Sequence, residues 1–190
     1  SFRNHETYPH YEIIVVDNGS RLPEAEEIQE RYRGNLVPDG SLSDSPASDN
    51  PASFPPVKVV RNINNGFAGG NNAGLKTAGG DYLFFINNDT PIKDPVLEAL
   101  VRGVSPMLKF ASCPDILQYA GFTPLSSLTL RNASIGFMQQ DGPRFRTPCE
   151  TASLHGAAMM VSRQALQDAG PMSEIYFLFY EELDWSAQLR

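Results

Sequence analysis

DYLFFINNDT, Asp81 to Thr90, is the stretch whose reading decides the fold. Tyr82, Leu83, Phe84, Phe85 and Ile86 form an uninterrupted apolar run that stops at Asn87, Asn88 and Asp89. A short apolar run without alternation suits a strand buried on both faces, as in the middle of an α/β sheet. The polar triplet then falls at the carboxyl edge, where open α/β sheets bind ligands. Pro91 and the Asp94-Pro95 pair end the strand and open what reads as a helix from Pro95 to Lys109, ended or kinked at Pro106. Asn and Asp also favour turns, so the triplet by itself fits a turn as well as a ligand edge.

Working outward, YEIIVVDNGS (Tyr11 to Ser20) repeats the pattern: a buried strand, Ile13 to Val16, ends in Asp17 and Asn18. A parallel sheet would bring two such acidic ends together. Ser1 to His10 leads in, and Leu22 to Arg33 follows as a Glu-rich amphipathic helix. Residues 38 to 56 hold Ser, Pro, Asp, Gly and Asn with almost nothing apolar, which predicts a flexible surface insertion. Val57 to Arg61 is the next strand. It runs into RNINNGFAGGNNAGLKTAGG (Arg61 to Gly80), where glycines precede a helix expected to start near Asn71. Glycines before a helix N-terminus allow close backbone approach and offer free N–H groups to a phosphate. The spacing is neither a Walker loop nor a dinucleotide fingerprint, and a glycine-rich turn with Asn caps accounts for it equally.

Beyond the opening stretch, Leu117 to Phe122 and Ile135 to Met138 read as short strands. Ser153 to Val161 reads as a longer one, in which Gly156 permits close approach by a neighbour or ligand. Ser162 caps a helix from Arg163 to Ala169 that Gly170 and Pro171 end. His155 is a packing or hydrogen-bonding residue on this reading, since one His makes no metal site. At the far end, Phe177, Phe179 and Tyr180 precede Glu181, Glu182 and Asp184 at a helix start. Acids so close repel one another and hold at least one pKa high, which suits a general base. The helix dipole favours acids in a first turn without any chemistry.

Composition sets the bounds. The chain has 190 residues, 41% hydrophobic and 19% charged, enough for one α/β domain over residues 1 to 190. A net charge of −7 argues against nucleic acid or an anionic membrane as a general partner. Cys113 and Cys149 make neither a disulfide framework nor a metal set, which favours a reducing cytosol. No apolar run approaches the roughly 20 residues of a membrane helix.

Taken together, VVDNGS (Val15 to Ser20), NNGFAGGNNAGL (Asn64 to Leu75), GDYLFFINNDT (Gly80 to Thr90), HGAAMMV (His155 to Val161) and YEELDW (Tyr180 to Trp185) resemble family 2 glycosyltransferases of the GT-A fold, in the bacterial rhamnosyltransferase-like group. The resemblance implies an α/β fold with a mostly parallel central sheet flanked by helices. It implies inverting transfer of a sugar from a nucleotide-diphosphate donor, such as a dTDP- or UDP-sugar, to an acceptor hydroxyl. Asp17, with Asn18, sits where the family contacts the nucleotide. Asn87, Asn88 and Asp89 occupy the place of the DXD motif, with Asp89 as the metal ligand for Mg²⁺ or Mn²⁺ and Asn87 in place of the first acid. Arg61, Asn65, Gly66, Gly70 and Asn71 would help hold the nucleotide. Glu182 falls on the second acid of the family's ED pair, the base that deprotonates the acceptor, with Glu181 beside it.

The resemblance further implies a glycan or lipid-linked acceptor of surface polysaccharide assembly, and a cytoplasmic enzyme peripherally associated with the inner face of the membrane. The family's first βα unit and part of its acceptor side have no counterpart in these residues, so the piece is expected to be poorly active or inactive. Two other readings compete. A sugar nucleotidyltransferase shares a similar nucleotide site, but its glycine-rich, Arg/Lys-bearing loop near the start is missing here. A non-catalytic nucleotide- or carbohydrate-binding remnant would explain an Asn-rich metal motif.

Overall fold

In a computed structural model, which describes residues 6, 8–21, 23–33, 36, 55–101, 105–129 and 131–190, the apolar runs become strands. β1 (Ile13–Asn18) pairs in parallel with β2 (Val57–Asn62), setting Asp17 opposite Arg61 and Asn18 opposite Asn62. The helix α1 (Glu24–Arg31) lies between them in sequence and α2 (Gly66–Leu75) follows β2. β3 (Tyr82–Ile86) pairs antiparallel with β6 (Ala158–Ser162), with Leu83 opposite Val161 and Phe85 opposite Met159. Between β3 and β6 come the short helix α3 (Leu97–Leu100) and the antiparallel pair β4 (Leu108–Phe110) and β5 (Cys113–Tyr119). A 3₁₀ turn at Pro143–Phe145 follows. The helices α4 (Arg163–Ala169) and α5 (Glu181–Gln188) close the order.

One core joins the site-bearing elements. Leu83 and Phe85 of β3, Met159 and Val161 of β6, Ala68 of α2 and Trp185 of α5 are buried together with Leu154 and Met172. The Trp185 ring meets Phe85 edge-on, with centroids 5.6 Å apart. Its indole N–H donates to the Gly170 carbonyl at 2.8 Å, so the polar end of a fully buried side chain is satisfied. Lys58, buried in β2, is satisfied by Glu12 and by the Thr77 carbonyl, each at 2.8 Å. That contact ties β2 to the segment after α2.

The α/β class is as expected, and among the described residues the strands form three two-stranded sheets, one parallel and two antiparallel. Several local expectations are corrected. The helix after β2 starts at Gly66 and not near Asn71, so the glycine-rich stretch is helix and not loop. The helix expected over Pro95 to Lys109 is one turn, Leu97–Leu100; residues 102–104 lie outside the described residues and Leu108 onward is strand. Ile135 to Met138 is a turn, with Gly136 at φ 79° and Met138 at φ 59°, left-handed values no strand accommodates. The strand read over Leu117 to Phe122 runs instead from Cys113 to Tyr119, and Phe122 keeps a single bridge to Ser134. The strand read from Ser153 begins at Ala158, because His155 and Ala158 close a turn before it. Residues 38–54 of the expected insertion, and residues 1–5 and 7 of the lead-in, lie outside the described residues.

Candidate active site

The β1 end is a closed polar assembly. The Asp17 carboxylate accepts the Ser20 N–H at 2.8 Å. That bond and the Ser20 side chain, with Arg61 adding its charge, hold Asp17 below the usual carboxylate range. Arg61 is itself paired with Glu26 at 2.6 Å on an open surface. Asn18 donates to the Gly66 carbonyl at 3.0 Å and accepts from Asn62 at 2.8 Å. Asn62 also donates to Asn65 at 2.7 Å, and Asn65 to Glu174 at 3.1 Å. Asn72, buried, donates to the Met172 carbonyl and to Glu174, and accepts the Met172 N–H at 3.1 Å. Asn71 bonds back to the Phe67 carbonyl one turn earlier.

These contacts explain the glycines. A Cβ on Gly70 would stand 3.0 Å from the Asn18 amide, and one on Gly66, at φ 88°, would overlap the Phe177 carbonyl. The start of α2 is likewise taken up. The Gly66 N–H donates to Asn64 and the Phe67 N–H to the Phe177 carbonyl. The expected cradle of free N–H groups for a phosphate is thus corrected: its first two donors are satisfied within the chain. Asn18, Asn65, Gly66, Gly70 and Asn71 stand at the β1–α2 junction as expected, with their recorded polar contacts made to the protein. Asn62, Asn64 and Glu174 belong to the same assembly; the first two lie in the Asn-rich stretch that the sequence singles out without a site role, and Glu174 escaped the sequence reading. No pattern in the sequence marks Glu174, which comes from a loop 102 residues downstream of Asn72.

The β3 end is built differently. Asn87 donates its N–H to the Ala157 carbonyl at 3.0 Å, and its own carbonyl accepts the Thr90 N–H, closing a turn that leaves Asn88 and Asp89 exposed. The partner segment His155–Ala158 is also a turn. Gly156 in its middle faces two elements at once: a Cβ there would lie 3.7 Å from the Glu182 carboxyl and 3.5 Å from the Phe67 ring. One four-residue turn therefore bonds the Asn87–Thr90 turn on one side and faces the first turn of α5 on the other. Phe67 and Gly66, adjacent in α2, link this turn to Asn18 at the β1 end.

The two adjacent glutamates face different surroundings. Glu181 is 3% exposed, and its Oε2 has no hydrogen-bond partner among the described residues. Glu182 is half-buried against the Gly156 turn, and burial, then the Glu181 charge, push its pKa up. Phe179 and Tyr180 enter α5 with left-handed backbones, φ 72° and 71°, an arrangement that costs energy for residues with a Cβ. Beside this entry Ile175, Phe177, Leu178, Phe179 and Tyr180 are all more than half exposed.

Among the described residues no cluster of three or more His, Cys, Asp or Glu side chains could hold a metal alone. Asp89, one exposed carboxylate on a turn, fits a hard divalent cation when substrate phosphate oxygens supply the other ligands.

An α/β fold with its acids at strand ends and at a helix start is the architecture of GT-A nucleotide-sugar transferases. The model of glycosyl transferase family 2 matches residues 1–170, and the chain belongs to that family. It is a glycosyltransferase by family, and α5 with Glu181 and Glu182 follows the matched residues. No curated protein sequence matches the chain. Among the described residues no helix is long and apolar enough to cross a membrane.

Proposed function

We propose that the chain transfers a sugar from a nucleotide-diphosphate donor to an acceptor hydroxyl with inversion, assisted by Mg²⁺ or Mn²⁺. The observation that carries this reading is the His155–Ala158 turn, which bonds the Asp89-bearing turn through Ala157 and abuts Glu182 through Gly156. Glu182 is the base. Its carboxylate takes the acceptor's proton as the acceptor oxygen attacks the anomeric carbon and the bond to the diphosphate breaks. A raised pKa makes it a stronger proton acceptor than an ordinary surface glutamate. Glu181, buried beside it, contributes charge and no open face.

Asp89 would hold the cation, which when bound offsets the charge developing on the diphosphate. Asn87 and Asn88 supply neutral company. Asp17, kept ionised, would contact the base or ribose of a dTDP- or UDP-sugar beside Asn18 and Arg61. Asn65, Gly66, Gly70 and Asn71 would serve the nucleotide by fixing the α2 start. The rhamnosyltransferase-like blocks support a surface-polysaccharide or lipid-linked acceptor at the cytoplasmic face of a membrane.

The full chain, given UDP- or dTDP-sugars, an acceptor and Mn²⁺, should yield product of inverted anomeric configuration by NMR. Chelation or Asp89→Ala should cut the rate at least tenfold, the order expected for one lost charged contact. Retention of configuration would overturn the mechanism, and an unchanged Asp89→Ala would overturn the cation's seat.

A further inference from the structure

His155 lies one residue before the Gly156 contact with Glu182 and two before the Ala157 contact with Asn87. Its imidazole is fixed by its neighbours. It stacks on Phe122 with centroids 5.9 Å apart and planes 7° from parallel, and Tyr119 meets it at 4.8 Å. Tyr119 is anchored in turn, its hydroxyl donating to the Ser153 carbonyl at 3.1 Å. The ring nitrogens are then distinguished. His155 Nδ1 accepts the Ala157 N–H at 3.1 Å, so the ring proton sits on Nε2. Burial between aromatic walls lowers the His155 pKa and keeps the ring neutral.

Nε2–H has no partner among the described residues. Neither is it one of the buried unpartnered polar atoms, which are Asp141 Oδ1, Ser153 Oγ and Glu181 Oε2. It is a donor fixed by the ring's orientation, on a half-buried residue of the turn that lies beside both the Asn87–Thr90 turn and Glu182. Packing and the Ala157 bond employ the ring and Nδ1 and leave the Nε2 donor unused, and a neutral donor suits an uncharged hydroxyl better than a phosphate.

We propose that His155 is a substrate-contacting residue whose Nε2–H donates a hydrogen bond to a sugar hydroxyl held between the Asp89 turn and Glu182. The inference rests on the glycosyltransfer reading above. Three variants of the full chain test it, with thermal unfolding as the control for folding. His155→Phe keeps a ring between Phe122 and Tyr119 and removes both nitrogens; kcat/KM should fall tenfold to a hundredfold, about one or two hydrogen bonds' worth. His155→Gln carries an amide N–H out to the Nε2 position, and it should recover most of the loss. His155→Asn offers an acceptor near Nδ1 and nothing at Nε2, and it should not.

Recovery by Asn, or equal recovery by both amides, would assign His155 to holding the Ala157 N–H and overturn the proposal. A His155→Phe chain as active as the wild type would overturn it as well. A wild-type chain that transfers no sugar would instead sink the reading beneath it, so the two failures are distinguishable.

Discussion

The two ends of this site handle polar groups in opposite ways. At the β1–α2 end, Asn18, Asn62, Asn65 and Asn72 bond one another, Glu174 and the backbone. At the β6–α5 end, Glu182 is partly desolvated, Glu181 keeps an unpartnered oxygen, and Asp89 stands exposed. The carboxylates follow suit. Asp17 is pulled down by Ser20 N–H and hydroxyl contacts, and Glu182 is pushed up by burial. Hydrogen-bonded asparagines make a stiff frame, and a poorly solvated acid makes a reactive group. The residues that most resemble a binding motif in composition chiefly build the frame; the proposed chemistry falls to a few acids that the frame leaves unsatisfied.

The largest effect that would break this division is on Glu182. Glu182→Gln should lower transfer by about 10²- to 10⁴-fold, the range for losing a general base. Its thermal midpoint should not fall, because the amide carries no charge to desolvate. An active Glu182→Gln would place the base elsewhere.

Asn72→Ala should do the reverse. Removing three hydrogen bonds at a buried site costs about 2–3 kcal/mol of stability, read by urea unfolding, since the Met172 backbone and Glu174 lose partners. Activity per folded molecule should stay within a fewfold of wild type. A large loss of kcat without loss of stability would move Asn72 from frame to chemistry.

The smallest effect is in pH. The acid limb of kcat/KM should lie above the ordinary glutamate value of 4.5, because Glu182 as the proposed base must be ionised to act. As pH rises through that value, the folded chain holds a proton the unfolded chain releases, so the Glu182 share of stability falls. Asp17 runs the other way: its share is present above 3.8 and lost as pH falls below it. Glu182→Gln should flatten the first slope and leave the second. Identical stability profiles for variant and wild type would erase the contrast between the two carboxylates.

Much of this was legible in the chain itself. Ile13 to Val16 and Tyr82 to Ile86 are strands as their short apolar runs suggest, and Val57 to Arg61 as its valines do, though β3 is fully buried only at Leu83 and Phe85 and not on both faces. The Ser162 cap of α4 was legible too, and its hydroxyl accepts the Ala165 N–H at 3.1 Å. The start of α2 was not. Gly66, Gly69, Gly70, Asn71, Asn72 and Gly74 are weak helix formers, and contacts from Phe177, Asn18 and Val16 override that preference. Nor was the β3–β6 pairing, since antiparallel partners 72 or more residues apart leave no local trace. IGFM, Ile135 to Met138, has the apolar content of a strand, yet positive φ at Gly136 and Met138 turns it. In the site, Glu182 and Asp89 stood out by position, and Gly156 by its lack of a side chain. The joining of both through one turn needed the tertiary structure.

The Asn72 clamp bears on how the protein is made. Its partners at Met172 and Glu174 lie 100 and 102 residues downstream. At about 5–20 residues per second, synthesis leaves α2 without them for roughly 5–20 s. A helix of glycines and asparagines has little intrinsic tendency to hold itself in that interval. On the ribosome, therefore, α2 should be among the last helices to set, and the α2–β1 junction should be the stretch of nascent chain most exposed to chaperones and proteases.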